Sequence, residues 1–484
     1  MALLGSIGPG RAGVTVVALG LGACLPENPD TTTEVTETGD TSGSESEGGE
    51  DGLLACATPP CSFVLVSQTL DDRVDVFDAT RGELRGRVEL DLKPDPSGQQ
   101  VTGNLLDEPY GLLVDDERLR VLLGHYPEID RGSLLSFPLS MFEALERGAT
   151  APSSEFFAGG EFSGGAEQLA LEREEALFML EHPSGALLVA VFNNSLKSFD
   201  WSNPSQLLIV DPNTGATGTV DLGGLDEPCS GAWSLVALDD DMRAVATACD
   251  GSNSVAILDI PTDLSDPAAA AAAVSGCGYT TPVGAPDTWT TRYLAPDGAG
   301  GLLLAQSSPV AAPRLMHVSS ACDLTGPAGS ALPAGLEDIR TLRELVLLRP
   351  ADGADPYWLV AGGGGRGGVF VARRTGPTPE LCGEIPELAA ALTGGAEANE
   401  PFALALSGAR THLAVGAGPT PENLPQTREG RGQVFWVGLD TTSLDDCDVR
   451  ASELVDLGEG LFASGDPRTW SRAPNVVRIY EVAP

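Results

Sequence analysis

The sequence predicts an all-β fold, a β-propeller of seven blades closed by pairing its last strand with its first blade; eight blades is the alternative. Three observations lead there. The stretch 63–90, FVLVSQTLDDRVDVFDATRGELRGRVEL, reads as three short strands joined by two tight turns. Looser copies recur to the end of the chain at intervals of roughly 45–70 residues, the spacing of propeller blades. The strand count is also unbalanced in the way ring closure requires: the first blade lacks an inner strand, and one strand is left over at the C-terminus.

Each blade is expected to hold four strands, A to D from the inside outwards. Six hairpins of apolar strand, polar turn and apolar strand begin at Gly111, Ala176, Ser234, Arg292, Glu344 and Phe402. Their turns carry Asp, Gly, Ser and Pro, as tight connections demand, and they are read as strands A and B. Alternating strands at Arg73–Ala79, Ser133–Leu139, Gln206–Pro212, Ser254–Ile260, Pro313–Ser319, Gly368–Arg373 and Gly432–Leu439 are read as strand C. Asp78, Asp211 and Asp259 close three of these at one register and start a turn. A weaker strand D follows in Leu84–Asp91, Gly218–Gly223 and Ser452–Gly458. The spare strand, Asn475–Ala483, supplies the missing strand A of blade one or opens an eighth blade. Helices are expected as insertions between C and D: Leu139–Arg147, with Leu139, Phe142 and Leu145 on one face, the alanine-rich Pro267–Val274, and Pro386–Leu392.

The chain has 484 residues, 42 % of them hydrophobic, enough for a large core. Of its 69 acidic and 28 basic residues, nine acids and one base precede residue 53, leaving 60 against 27, a net of −33 for the body. Such a body repels phosphate backbones, which excludes nucleic acid and anionic membrane surfaces as partners and suits cations or basic patches. Solubility alone is the plainer explanation of the same charge.

The N-terminus reads as an address. Arg11 precedes an apolar run, Ala12–Leu21, too short to span a bilayer. It ends in Leu21-Gly22-Ala23-Cys24, which resembles the lipobox of bacterial lipoproteins. That resemblance implies a signal peptide over 1–23 and a lipid anchor on Cys24. Leu25, in place of the aspartate that retains such proteins at the inner membrane, implies the outer membrane, facing periplasm or surface. Residues 25–52 hold Thr, Ser, Glu and Gly with almost no large apolar side chain, so they cannot offset their ordering entropy. With Cys24 they form an acidic tether (24–52) reaching about 30 Å, and the propeller body occupies 53–484.

Export fits the cysteines. Beyond Cys24 there are eight: Cys56, Cys61, Cys229, Cys249, Cys277, Cys322, Cys382 and Cys447. An even number in an oxidising compartment implies four disulfides. Neighbour pairing (56–61, 229–249, 277–322, 382–447) is the simplest connectivity; the sequence leaves others open.

Candidate site residues lie before strand A and between B and C. Asp107-Glu108-Pro109-Tyr110, Asp226-Glu227-Pro228-Cys229 and Asn399-Glu400-Pro401-Phe402 repeat before a strand A. In a ring this would set Glu108, Glu227 and Glu400 around one mouth, where carboxylates could hold Ca²⁺, with Tyr110 beside them. A proline-directed turn with solvated glutamates explains the same pattern. Lys197 and Trp201, Arg428, and Trp470 in long polar loops suit recognition of a protein or glycan. Gly362–Gly368, GGGGRGG, fits a dinucleotide fingerprint, yet Val369-Phe370-Val371 after it reads as a strand where that site needs a helix, so a glycine-rich hairpin is expected. None of His125, His182, His317 and His412 has metal-site spacing, and no resident cofactor is expected.

The body is similar to the bacterial YVTN-type propellers and their NHL relatives. Val64-Leu65-Val66-Ser67 followed by Arg73–Asp78, and Val245-Ala246-Thr247-Ala248 followed by Ser254–Asp259, carry the resemblance. The literal Tyr-Val-Thr-Asn string is absent. The expected function is a membrane-tethered, non-catalytic binding module with a monomeric body, taking a protein, glycan or cation. A metal-dependent lactonase- or lyase-like propeller enzyme is the alternative.

Overall fold

The computed structural model describes residues 52–56, 58–68, 73–90, 109–115, 117–124, 132–143, 145, 148, 150–152, 167–171, 175–193, 203–280, 290–308, 312–319, 324–325, 339–351, 355–364, 367–376, 378–393, 399–419, 432–458 and 476–482. Seven antiparallel sheets stand in a ring. Blade two runs from the inside outwards as Pro109–Val114, Arg118–Leu123, Ser133–Pro138 and Glu167–Ala170. Blades three to seven repeat that order, with inner strands Ala176–Glu181, Ala232–Ala237, Thr290–Pro296, Thr341–Arg349 and Asn399–Leu406. All six expected hairpins and all seven expected C strands are present.

Blade one is assembled from both ends of the chain. Its inner strand is Val476–Val482, antiparallel to Cys61–Gln68 with Cys61 opposite Val482 and Ser67 opposite Val476. Arg73–Asp78 and Glu83–Glu89 complete it. Consecutive inner strands touch all the way round, and Val476–Val482 touches those of blades seven and two. The ring therefore closes on seven blades, and the eight-blade alternative is excluded.

Alternation along each strand explains why the sheets stack. In blade one, Val64, Val66 and Phe77 pack against Ala403, Ala414 and Trp436 of blade seven. Their neighbours Phe63, Leu65 and Val76 pack against Leu112, Val121 and Leu135 of blade two. In blade five, Leu302 and Leu304 meet blade four while Leu303 and Ala305 meet blade six. Among the described residues there are seven such clusters, one per junction. A sheet with two apolar faces is stable only between two neighbours, so each blade depends on the ring.

The insertions cover outer edges. Pro267–Ala273 is a helix between strands C and D of blade four, with Asp266 as its N-cap accepting from Ala268 and Ala269. It lies on the outer strand of blade three, where a Cβ on Gly218 would sit 1.8 Å from the Pro267 carbonyl oxygen. The first expected helix is shorter than its apolar pattern, Ser140–Glu143. The third, Pro386–Thr393, corrects the expectation: it links strand D of blade six to strand A of blade seven and packs on the outer strand of blade seven. Thr150–Pro152 adds an unforeseen fifth strand, parallel to Glu83–Glu89. Unpaired edges invite aggregation, and these segments pack against the outer strands of three blades.

Three disulfides follow neighbour pairing: Cys56–Cys61, Cys229–Cys249 and Cys382–Cys447. The last joins the outer strand of blade six to the turn before that of blade seven. Cys277 is also disulfide-bonded; Cys322 lies outside the described residues. Leu53 is fully buried, with its N–H on the Phe142 carbonyl, and Arg85 donates to the Gly52 carbonyl. The chain is thus fixed to blades one and two as it enters the body.

Deleting 475–484 removes the inner strand of blade one. The melting temperature is expected to fall by roughly 10 °C or more, with loss of hydrogen-exchange protection in Cys61–Gln68. Unchanged protection there would show that closure does not hold the blade.

Candidate functional site

All inner strands begin at one mouth of the ring, and six of them carry a β-bulge close to that end. The extra residue is Leu177 in blade three, Trp233 in four, Arg292 in five and Phe402 in seven. In blades two and six the irregularity spans Tyr110-Gly111 and Arg343-Glu344. A bulge turns its extra residue out of the alternation that buries both neighbours. Large polar and aromatic side chains are thereby collected at the mouth of the channel.

The densest cluster joins blades two, four and five. Asp250 sits in the turn between strands B and C of blade four, and its Oδ1 accepts the Thr291 N–H at 3.1 Å. Its Oδ2 accepts Arg292 Nε–H at 2.8 Å. The guanidinium lies over Trp233, 4.5 Å from the ring centroid. Phe178 and Phe192 of blade three brace that indole, with centroids at 6.5 and 6.1 Å. Burial disfavours the Arg292 charge, but Asp250 with the phenols of Tyr293 and Tyr110 outweighs it and raises the guanidinium above its ordinary pKa. The Tyr110 influence comes from blade two. The Arg292 side chain nonetheless keeps 37 % of its surface exposed.

A second arginine is engaged more fully. Arg343 lies 3.7 Å from the Phe402 centroid and 3.3 Å from Glu400 Oε2. Glu400 is buried, and its Oε1 accepts the Gly364 N–H. This explains the glycine run. It connects Tyr357–Gly363 to Gly368–Thr375 as a hairpin. A Cβ on Gly363 would meet Glu400 Oε2 at 2.1 Å, and Gly364 has φ +96°.

Next to Arg343, Glu344 turns into the channel. Its Oε2 accepts the Leu404 N–H of blade seven at 2.9 Å, and its Oε1 stands 4.0 Å from Arg478 Nη1 of the closing strand. Arg478 Nε–H in turn donates to the Leu112 carbonyl of blade two at 3.2 Å. Burial pushes the Glu344 pKa up to about 7, against the opposing pull of Arg478 and the Leu404 N–H.

The three Glu-Pro repeats do not share one register. Pro109 and Pro401 directly precede the bulge residues Tyr110 and Phe402. In blade four the bulge residue is Trp233, well beyond Pro228, with the Cys229–Cys249 disulfide in between. Glu227 is exposed there, while Glu400 is buried on Arg343. Tyr110 reaches the Arg292 cluster. Glu108, Lys197, Trp201, Arg428 and Trp470 lie outside the described residues, as does Cys24. No three metal-ligating side chains gather among the described residues. His182, His317 and His412 sit at the other end of the ring, at or beside the turns between strands A and B or the end of strand C. His182 Nδ1 is paired with Ser184, and its pKa is lowered by burial. His317 Nε2 is 2.8 Å from Asp297, and His412 stacks on Trp436. Arg292, Trp233, Arg343 and Glu344 were missed as site residues. The available signal was one bulky residue just before the apolar stretch in five of the inner strands: Tyr110, Trp233, Arg292, Arg343 and Phe402.

No family model matches the sequence, and no curated protein does. Solved structures are similar in shape. A candidate 6-phosphogluconolactonase from Bacteroides fragilis has 11 % identity and a TM-score of 0.50, covering 88 % of this chain and 99 % of its own. The chain shares a propeller fold with it. A protein from Lactobacillus plantarum (12 % identity, TM-score 0.48, 87 % and 100 % covered) and the hydrazine synthase of Kuenenia stuttgartiensis (12 %, 0.44, 81 % and 96 %) resemble it more loosely. At such identities the likeness extends to the fold alone.

The Glu344 carboxyl holds its proton more tightly in the folded chain than its ordinary value of 4.5. Its stabilising contribution is therefore full below pH 4.5 and is lost as pH rises towards 7. The melting temperature of wild type relative to Glu344→Gln is expected to fall across that window and level off above it. A difference independent of pH would mean that Glu344 is an ordinary exposed carboxylate.

Proposed function

We propose that the chain is an exported, lipid-tethered propeller of the YVTN/NHL type that works as a binding module, holding a small glycan-type ligand at the channel mouth. The single observation behind this reading is the convergence of Arg292, Trp233 and Tyr110 from three blades. Aromatic faces beside a fixed donor suit sugars, which present apolar ring faces edged with hydroxyls. Binding of this kind needs no cofactor, and a monomeric body suffices because the channel lies within one ring. Outer-membrane anchoring through Cys24 rests on the lipobox resemblance. The cation version of the notion has less support, since Glu400 is engaged by Arg343.

The second reading, a lactonase- or lyase-like enzyme, is favoured by one observation: a channel carboxyl with a pKa of about 7, suited to moving a proton. The named activity of the Bacteroides fragilis protein points the same way.

On a glycan array, wild type is expected to bind and Trp233→Leu to lose about tenfold or more in affinity. Lactone hydrolysis that disappears in Glu344→Gln, with array binding absent, would instead favour the enzyme. Labelled fatty acid is expected to enter the wild-type protein in a bacterial host and not Cys24→Ala; equal labelling would remove the anchor from the proposal.

A further inference from the structure

We propose that the ligand at the channel mouth is a sugar acid, a uronate whose carboxylate is received by the terminal nitrogens of Arg292. This rests on the binding reading above and narrows its substrate class. Arg292 bonds Asp250 through Nε alone, and among the described residues Nη1 and Nη2 have no hydrogen-bond partner. That leaves the planar pair of N–H groups whose spacing matches the two oxygens of a carboxylate. The fork is already fixed: Asp250 holds its root and the Trp233 face holds its plane. Little side-chain freedom remains to be lost on binding.

Asp250 is itself nearly fully buried, and it is held by the Thr291 N–H as well as by Arg292. It therefore acts as a positioning group for the guanidinium. The phenol of Tyr110, brought in from blade two, lies within electrostatic reach of the same fork. A ring carrying the carboxylate would rest against the outer edge of Arg292, on the side of Tyr110, with Trp233 behind the guanidinium. The Trp233 indole N–H is buried without a partner among the described residues, so the indole serves the site through its packing on the guanidinium.

Charge selects within the oxyanions. The body carries a net −33, and Arg292 already shares its charge with Asp250. With the guanidinium charge already met by Asp250, as that of Arg343 is by Glu400, every further negative charge on a ligand is uncompensated. A phosphate dianion would bring a second charge into a strongly negative field, whereas a carboxylate brings one. A neutral sugar would make the ring contacts and leave the fork facing water.

The test is calorimetric titration of the full-length protein with glucuronate, glucose and glucose 6-phosphate. Glucuronate is expected to bind about tenfold or more tighter than either of the others. Arg292→Gln is expected to reduce glucuronate to the level of glucose. Arg292→Lys, which keeps the charge and the Asp250 pairing but lacks the fork, should retain only part of the preference, so the test survives if Arg292→Gln does not fold. Equal binding of glucose and glucuronate, tighter binding of glucose 6-phosphate, no glucuronate binding, or full binding by folded Arg292→Gln would each overturn the inference. Array binding that depends on Trp233 in the absence of any glucuronate preference would leave the mouth-binding reading standing and remove only the sugar acid.

Discussion

Everything in this fold depends on the pairing of Val476–Val482 with Cys61–Gln68. Each blade is a sheet with two apolar faces, and neither face can be left to water. A row of such sheets has two bare ends. Bringing the two chain termini into one blade leaves none, because Val64 and Phe63 then find blades seven and two on their opposite sides. Closure is thus the condition under which the other six blades become stable as a set. It is also non-local, joining residues more than four hundred positions apart, so it carries a large loop-closure entropy.

The channel side of that closure is polar. Arg478 of the closing strand reaches Glu344 of blade six on one side and the Leu112 carbonyl of blade two on the other. Glu344 in turn holds the Leu404 N–H of blade seven. Four blades are tied across the seam by two side chains. Leaving either partner alone in this enclosed space would be costly, which argues that the pair fixes the register of closure more than it adds stability.

Much of the architecture was legible because burial on both faces writes near-continuous apolar runs into the chain. Leu187–Val191, Tyr357–Gly363 and the other B strands could be recognised from such runs, and the imbalance of A and C strands announced the closure. The helix Pro386–Thr393 was placed in the wrong connection because an amphipathic segment does not reveal which sheet edge it covers. The site was less legible still. Arg292 stands in TTRYLAP as one more strand residue. Its role comes from a one-residue register shift between Thr291 and Tyr293, which the alternation of the strand does not announce. The Glu-Pro repeats are visible, but one of them, before Cys229, stands out of the common register.

The bulges show how a repeat built for packing can still hold chemistry. In a blade, residues of both parities along a strand are claimed by a neighbouring sheet, so a polar side chain has no place to go. An extra residue belongs to neither face. Placed at the inner strand, a polar one such as Arg292 can turn towards the axis, where the blades converge and residues distant in sequence become neighbours. Trp233 and Arg292 meet in this way although they come from separate repeats, and Tyr110 of a third lies within electrostatic reach of them. The same logic explains why Glu400 and Asp250 are buried close by. Each arrives from a segment bordering a bulge and pairs with the arginine that the bulge has turned inwards, so the sheet cores stay apolar while the charges are satisfied at the rim of the channel.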